Sequence, residues 1–534
     1  LESLSSPLQT SIVEIVIILQ RPTMPRTIAI LGTASDVGKS LIAAGLGRLL
    51  SQLGVRVAPF KAQNMSLNSY VTPEGGEMGR AQVLQAQACG VVPHVNMNPI
   101  LLKPEAETCS QVVVQGRVWG KLNAKEYFER KPEMFRVVKD SFARLAARHE
   151  VIVIEGAGSA AEVNLRDRDL VNWPVVEMAD AAVIIVADID RGGVFAQIIG
   201  TLDLLEPQER RRVLGVIVNK FRGDRELFDE GVRILETRAK VPVLGVVPYL
   251  GQLELDQEDS LSVASWESRP FSPSSVNIGV ILLPHMSNFT DFNVLAAEGD
   301  VAIRYIKTPE ELDEADVIIL PGTKNTIADF RYLAKVGFGQ SLGAHVQKNR
   351  KELLGICGGF QMLGREVTDP HHVEEGGMMQ GLNFLDMTSE LSPYKHTSQI
   401  QARPLFLSEA TDCRVLGYEI HMGFTKRFSG SPCFSISDML DNSEEVFRTD
   451  GVVSSDGLVW GTYLHGLFDE PEFRRTWLNR IRKRKGLSGL DVSVSDAVSK
   501  RLSGALDRWA RHVERYVHLQ PILSYLNLKC RVDP

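Results

Sequence analysis

Two short stretches of this chain hold reactive residue types at the spacing that chemistry needs. The first is GTASDVGKS, Gly32–Ser40. A Gly-Lys-Ser run between a strand-like TIAIL and a helix-like segment reads as a phosphate-binding loop. Backbone N–H groups of such a loop converge on phosphate oxygens, Lys39 reaches the outer phosphates and Ser40 ligates Mg²⁺. The helix N-terminus adds a favourable dipole. Gly32, Thr33 and Gly38 shape the loop, with one departure: the usual spacing asks for glycine where Thr33 stands, and Gly32 comes one residue earlier. The expected ligand is ATP with Mg²⁺. The second stretch is LLGICGGFQMLG, residues 353–364. Cys357 follows an apolar run and precedes two glycines and a helical segment, so a sharp strand–turn–helix would raise its thiol over a sheet edge at a helix N-terminus. The N–H of Gly358 would face a developing oxyanion.

A thiol nucleophile needs a base. His465, in VWGTYLHGLF, is the candidate to deprotonate Cys357 and to protonate a leaving ammonia. The loop PGTKNT at 321–326 follows another apolar run, and its Gly322 is a second candidate oxyanion donor. His421, in GYEIHMG, is a candidate for a substrate-side or interface role, a structural histidine being the alternative. His371 and His372 are adjacent in an acidic, glycine-rich stretch and suggest no metal site.

The elements that must position these groups are legible as apolar runs ending in polar loops. Residues 27–31, 55–60, 151–154, 182–187, 213–218 and 243–247 read as strands, with a helix over 40–53. The runs are continuous rather than alternating, which implies a parallel sheet covered on both faces. Ligands of such sheets gather outside the carboxyl ends of the strands. That rim receives Lys61 to neutralise phosphate, Glu155 to hold Mg²⁺, and the polar groups Asp188, Asp190 and Arg191. It also receives Asn219 and Lys220, which would meet or close over the adenine base. A surface lysine and a capping carboxylate are the plainer readings of Lys61 and Glu155.

Residues 251–275 are rich in Ser, Pro and acidic groups, and a second α/β pattern opens at 277–283 and continues at 317–320 and 353–356. The organisation expected is an extension over 1–25, an ATP-binding unit over 26–262, a linker over 263–275, an amidotransferase unit over 276–470 and a helical segment over 471–534. In the last, Trp477, Ile481, Leu506, Trp509, Val513 and Val517 form packing stripes.

With 534 residues, the chain is too long for one core. A net charge of −7 gives no support to a nucleic-acid binder. No run reaches the roughly 18 apolar residues of a membrane span. The six cysteines include no CxxC pair and suggest a reducing, cytoplasmic compartment.

An ATP site and a thiol amidohydrolase site in one chain imply a division of labour. One half would hydrolyse glutamine through a thioester and release ammonia. The other would phosphorylate a carboxylate, and ammonia would displace the phosphate to give an amide. At this level the chain resembles the cobyric acid synthases, the glutamine-dependent amidotransferases of cobalamin biosynthesis. The resemblance rests on GTASDVGKS, PFKAQNMSLNS at 59–69, EGAGS at 155–159, DIDRGGVFA at 188–196 and SNFTDF at 287–292. It rests further on LPGTKNT at 320–326, GICGGFQMLG at 355–364, GYEIHMG at 417–423 and TYLHGLFD at 462–469.

The resemblance implies a dethiobiotin-synthetase-like P-loop domain, whose loop shares the longer spacing, followed by a class I glutamine amidotransferase-like α/β domain. It implies a corrinoid substrate amidated at four carboxylates, with Lys39, Ser40, Lys61 and Glu155 serving ATP and Mg²⁺. It also implies Cys357 as nucleophile, His465 as base and Asp169 as a corrinoid-side candidate. Class I glutaminases often carry Glu two residues after the histidine, where this chain has Leu467. The orientation of His465 is thus left to another group, for which Asp469 and Glu470 are weak candidates. Two alternatives share part of the pattern: a cobyrinic acid a,c-diamide synthase, and a partition-type ATPase that would need no Cys357.

Overall fold

The computed structural model describes residues 25–106, 109–251, 253, 269–410, 412–439, 447–495 and 497–528. The expected extension, apart from Pro25, lies outside these residues, as do positions 263–268 of the expected linker. Two sheets, the first parallel throughout and the second parallel except at its edge strand Val452–Val453, organise the rest. In the first, β1 (Arg26–Gly32), β2 (Val57–Phe60), β3 (Val151–Glu155), β4 (Ala182–Asp188), β5 (Val213–Phe221) and β6 (Val243–Pro248) run in the order β6-β5-β4-β1-β3-β2. Every pairing is parallel. Strands β4, β1 and β3, and β2 at the edge, are buried at nearly every position, which is why their sequences are mostly continuous apolar runs. Helix α1 (Lys39–Gln52) leaves β1 through the glycine-bearing loop, and α2 (Arg80–Ala88) packs beside it.

The second sheet holds β7 (Val276–Ile281), β8 (Val301–Ile306), β9 (Val317–Leu320) and β10 (Glu352–Ile356), with α3 (Thr326–Val336) after β9 and α4 (Gly358–Met362) after β10. The long strands β11 (Met387–Pro404) and β12 (Val415–Arg427) form an antiparallel pair beside it. Strands β13 (Val452–Val453) and β14 (Val459–Thr462) complete an order of β8-β7-β9-β10-β14-β13, while β15 (Leu464–His465) pairs with β12. The sequence reading had no strand over 387–404. That segment is mostly polar and holds Pro393, features that argue against a strand, yet its burial alternates because only one face packs.

The helical segment expected over 471–534 does not act as one unit. Helix α5 (Pro471–Arg484) buries Phe473, Trp477, Leu478 and Ile481 in the core of the second sheet. Helices α6 (Val498–Tyr516) and α7 (Gln520–Tyr525) return to the first sheet. There Leu506, Trp509, Val513 and Val517 join Ile28, Ile30 and Ile42 in one core, and Trp509 Nε1 donates to Leu41 O at 2.6 Å. An amphipathic stripe shows that a helix must be covered but not by which sheet, and the two stripes found different partners.

Candidate active site

The loop after β1 folds as its glycines require. Gly38 has φ 97°, a left-handed value that suits glycine and lets the chain turn into α1. Asn219, 4% exposed, donates from Nδ2 to Val37 O at 2.8 Å and stands where a side chain on Gly38 would be, so it braces the loop from below. Lys39 Nζ donates to Ala34 O and Gly158 O, both at 3.0 Å, spanning the loop's mouth. Thr33 Oγ1 meets Gln197 Oε1 at 3.3 Å.

Glu155, at the carboxyl end of β3, is the hub of this centre. Its carboxylate accepts from Ser40 Oγ at 2.7 Å, Lys61 Nζ at 3.0 Å, Gln82 Nε2 at 3.2 Å and Gln85 Nε2 at 2.6 Å. The structure thus brings Ser40, Lys61 and Glu155 together as the sequence implied, and adds two glutamines from α2. Their helix, RAQVLQAQA, buries Gln82 and Gln85 alongside Val83, Leu84 and Ala86, a signal the sequence reading passed over.

The other rim residues are more dispersed. Asp188 pairs with Lys220 at 2.9 Å, and exposed Asp190 with Arg222 at 2.8 Å. Asp169 accepts from the backbone N–H groups of Val171, Asn172 and Trp173 at 2.8–3.0 Å, holding the loop that enters helix Trp173–Met178.

The cysteine centre forms at the corresponding edge of the second sheet. Cys357 sits between β10 and α4 with φ 52° and ψ −111°, a strained backbone for a side chain other than glycine and the geometry of a nucleophile at a sharp elbow. Gly358 and Gly359 are required by space: a Cβ on Gly358 would come within 2.5 Å of Thr323 Cγ2, and one on Gly359 would strike the Leu320 carbonyl. The 321–326 loop therefore lies directly against the elbow. A Cβ on Gly322 would lie 3.2 Å from His465 Cε1, and its carbonyl accepts from Ser287 N at 2.8 Å. Asp329, fully buried, accepts from His285 Nδ1 at 2.7 Å and from the Thr323 hydroxyl at 2.5 Å, fixing that loop.

His465 is 1% exposed and stacks on Tyr418. Its Nδ1 lies 2.7 Å from Asp291 Oδ2, and Asp291 Oδ1 accepts from Gly466 N at 3.0 Å. Burial disfavours the charged imidazole, but Asp291 and then Cys357 outweigh burial and hold its pKa up at about 10. Sequence reading missed Asp291. It lies in SNFTDF, just past β7 at the sheet's carboxyl edge, and position after a strand was the available signal. Asp469 and Glu470 are not among the hydrogen-bond partners found for His465.

His421 stacks on Tyr463 with ring centroids 3.9 Å apart. Burial brings its pKa down to about 4. With His396 and Glu419 it forms the sole cluster of metal-ligating spacing among the described residues. Arg448 already pairs with Glu419 and lies 3.3 Å from His396 Nε2, so a cation stands where a metal would.

One centre holds a phosphate loop with an acid hub; the other holds a Cys–His–Asp array. Residues 28–263 match the CobQ/CobB/MinD/ParA nucleotide binding domain family, and residues 277–473 match the CobB/CobQ-like glutamine amidotransferase domain family. The class is therefore a nucleotide-binding glutamine amidotransferase. Over most of its length the chain is similar to proteins named cobyric acid synthase. It is 46% identical to one from Klebsiella pneumoniae over 509 residues, covering 94% of this chain and 98% of the relative. It is 45% identical to one from Syntrophobacter fumaroxidans over 511 residues, covering 94% and 99%. The chain belongs to the cobyric acid synthase family.

Proposed function

We propose that the chain amidates the b, d, e and g carboxylates of adenosylcobyrinic acid a,c-diamide to give adenosylcobyric acid, with glutamine as nitrogen donor and ATP as activator. The observation that carries this reading is the union, in a chain 46% identical to a cobyric acid synthase, of the Ser40–Glu155–Lys61 cluster with the Cys357–His465–Asp291 array. Residues 26–262 are the ATP-binding unit, completed by 498–528, and residues 276–484 are the amidotransferase unit. No described helix is long and apolar enough to cross a membrane, and we assign the enzyme to the cytoplasm.

Cys357 attacks the glutamine amide carbon. The thiol proton passes to His465, and the N–H groups near Gly358 and Gly322 face the oxyanion. His465 gives the proton to the leaving ammonia, and water then hydrolyses the glutamyl thioester to release glutamate and the thiol. Asp291 holds the imidazole through Nδ1 so that Nε2 faces the reaction. In the other unit Lys39 and Lys61 neutralise phosphate charge as a substrate carboxylate attacks the γ-phosphorus. Ammonia then displaces phosphate from the acyl carbon. Asn219 supports the nucleotide by bracing the loop, and Asp169, Asp190 and His421 stay candidates for the substrate side.

The residues fit Mg²⁺. Ser40 and Glu155 offer adjacent hard oxygens, and Gln85 Oε1 is buried without a hydrogen-bond partner beside them. A bound Mg²⁺ would neutralise the phosphate oxygens of ATP.

Mass spectrometry of the corrinoid incubated with protein, Mg-ATP and amide-¹⁵N glutamine tests the reading. Four labelled amides are expected from the native chain. None is expected from Cys357→Ala on glutamine, with recovery on ammonium. Glutamine and ATP turnover without corrinoid amidation would sink the substrate assignment.

A further inference from the structure

Two motifs remain without a role: NMSLNS, after Lys61, and SNF, before Asp291. The fold brings them together between the two centres. Ser69 N donates to Asn288 Oδ1 at 3.1 Å, and Thr290 Oγ1 to Asn68 Oδ1 at 3.4 Å. Tyr418, stacked on His465, donates its hydroxyl to Ser69 O at 3.2 Å.

From this junction a line of buried neutral groups reaches both centres. On one side Asn288 Nδ2 lies 3.5 Å from His465 Nε2. On the other, Asn68 O accepts from Arg80 N at 3.1 Å, next to Gly79. A Cβ on Gly79 would fall 2.7 Å from Asn64 Nδ2 and 2.8 Å from Gln82 Oε1, so only glycine lets the backbone pass this close to both amides. Asn64 Nδ2 donates to Gln82 Oε1 at 2.8 Å, and Gln82 Nε2 reaches Glu155 at 3.2 Å. None of Asn288, Asn68, Asn64 and Gln82 is more than 4% exposed. Asn68 Nδ2 has no hydrogen-bond partner among the described residues, although a buried amide normally finds one.

We propose that Asn288, Asn68, Asn64 and Gln82 form the route by which ammonia passes from Cys357 to the acyl phosphate, with Asn68 as the midway station. The proposal rests on the function given above. Amide groups can donate to and accept from ammonia, so each offers the hydrogen bonds that ammonia loses on leaving water. The neighbourhood also selects the neutral molecule. Lys103 Nζ lies 3.0 Å from Ser69 Oγ, and Lys103 and Lys395 share one acid, Glu77, at 2.7 and 2.5 Å. Burial, with Lys103 and Lys324 nearby, brings the Lys395 ammonium down to about 7 despite Glu77. Free ammonium would meet the desolvation that lowers the Lys395 ammonium, a cost that falls on the charged form and not on neutral ammonia.

The test is isotopic competition on the full chain, with amide-¹⁵N glutamine, the corrinoid, Mg-ATP and an equal concentration of unlabelled ammonium. In the native chain ¹⁵N should dominate the product amides. Asn68→Leu should leave glutamine hydrolysis and ammonium-fed amidation within about twofold of native, while the ¹⁵N amide formed per glutamine hydrolysed falls about tenfold. Thr290→Val, which removes the hydroxyl from Asn68 Oδ1, should move the same ratio in the same direction and decides the matter if the leucine variant fails to fold. An unchanged ratio in a folded variant would overturn the route, as would loss of ammonium-fed amidation from folded Asn68→Leu. A native chain that hydrolyses glutamine but amidates no corrinoid from either nitrogen source fails the function instead, which is a separate result.

Discussion

The carboxylate of Asp291 lies 2.7 Å from Nδ1 of His465, across 174 residues of sequence. It does the orienting that class I glutaminases often give to an acid two residues after the histidine, a position held here by Leu467. Because Asp291 also accepts from Gly466 N, it fixes both the ring and the backbone that carries it.

Replacing Asp291 by Asn should therefore lower glutaminase kcat by up to about 10⁴-fold, the loss seen when the acid of a comparable array is neutralised. Ammonium-fed amidation should be nearly unchanged, since the ATP centre is untouched. Glu470→Gln should stay within about twofold of native in both assays. Glutamine hydrolysis and ammonium-fed synthesis, measured on each variant, check the contrast.

The raised pKa of His465 has a sign in the stability of the protein. An unfolded histidine titrates near 6.5 and the folded one near 10. Between those values the folded state holds a proton that the unfolded state has lost, so stability from this group is complete below about 6.5 and disappears as pH rises through about 10. The native chain should lose more melting temperature between about pH 6.5 and 9.5 than Asp291→Asn does. Equal losses would remove Asp291 as the cause.

Lys61 and Glu155 are a buried pair, with side chains 6% and 1% exposed. Lys61→Met leaves the carboxylate without its cation and should cost about 3–5 kcal/mol. Ammonium-fed amidation should fall below detection while glutamine hydrolysis persists. Urea unfolding and the two half-reactions, followed together, test this.

Trp509 is 4% exposed and bonded to the backbone of α1, the helix that begins with Lys39 and Ser40. Trp509→Ala should destabilise the first unit by about 3–5 kcal/mol. The KM for ATP should rise, while Cys357-dependent glutamine hydrolysis keeps its KM. A uniform loss of both would argue for global unfolding.

The two reactive centres were legible because each is local. GTASDVGKS and GICGGFQMLG carry nucleophile, cation and glycines within a dozen residues, and the strands before them are unbroken apolar runs. What escaped was non-local or polar. Asp291 and His465 meet only through the sheet edge, and nothing in TYLHGLF names a partner 174 residues earlier. Strand β11 hides because its buried face itself carries polar residues, Ser389 and Ser398 among them, which dilute the alternation. Gln82 and Gln85 look like solvent-facing positions of a helix until Glu155 is seen to need donors. The stripe of α6 announced burial, but its acceptor, α1, lies 468 positions away in the Trp509–Leu41 bond.

That return of α6 and α7 to the first sheet makes the amidotransferase unit an insert within the ATP-binding fold. During synthesis the first core lacks Leu506, Trp509 and Val513 until residues beyond 513 have emerged, by which time every residue of the glutaminase centre has been made. The core beneath the ATP site is thus completed only by residues made after its nitrogen supply has been encoded in the same chain.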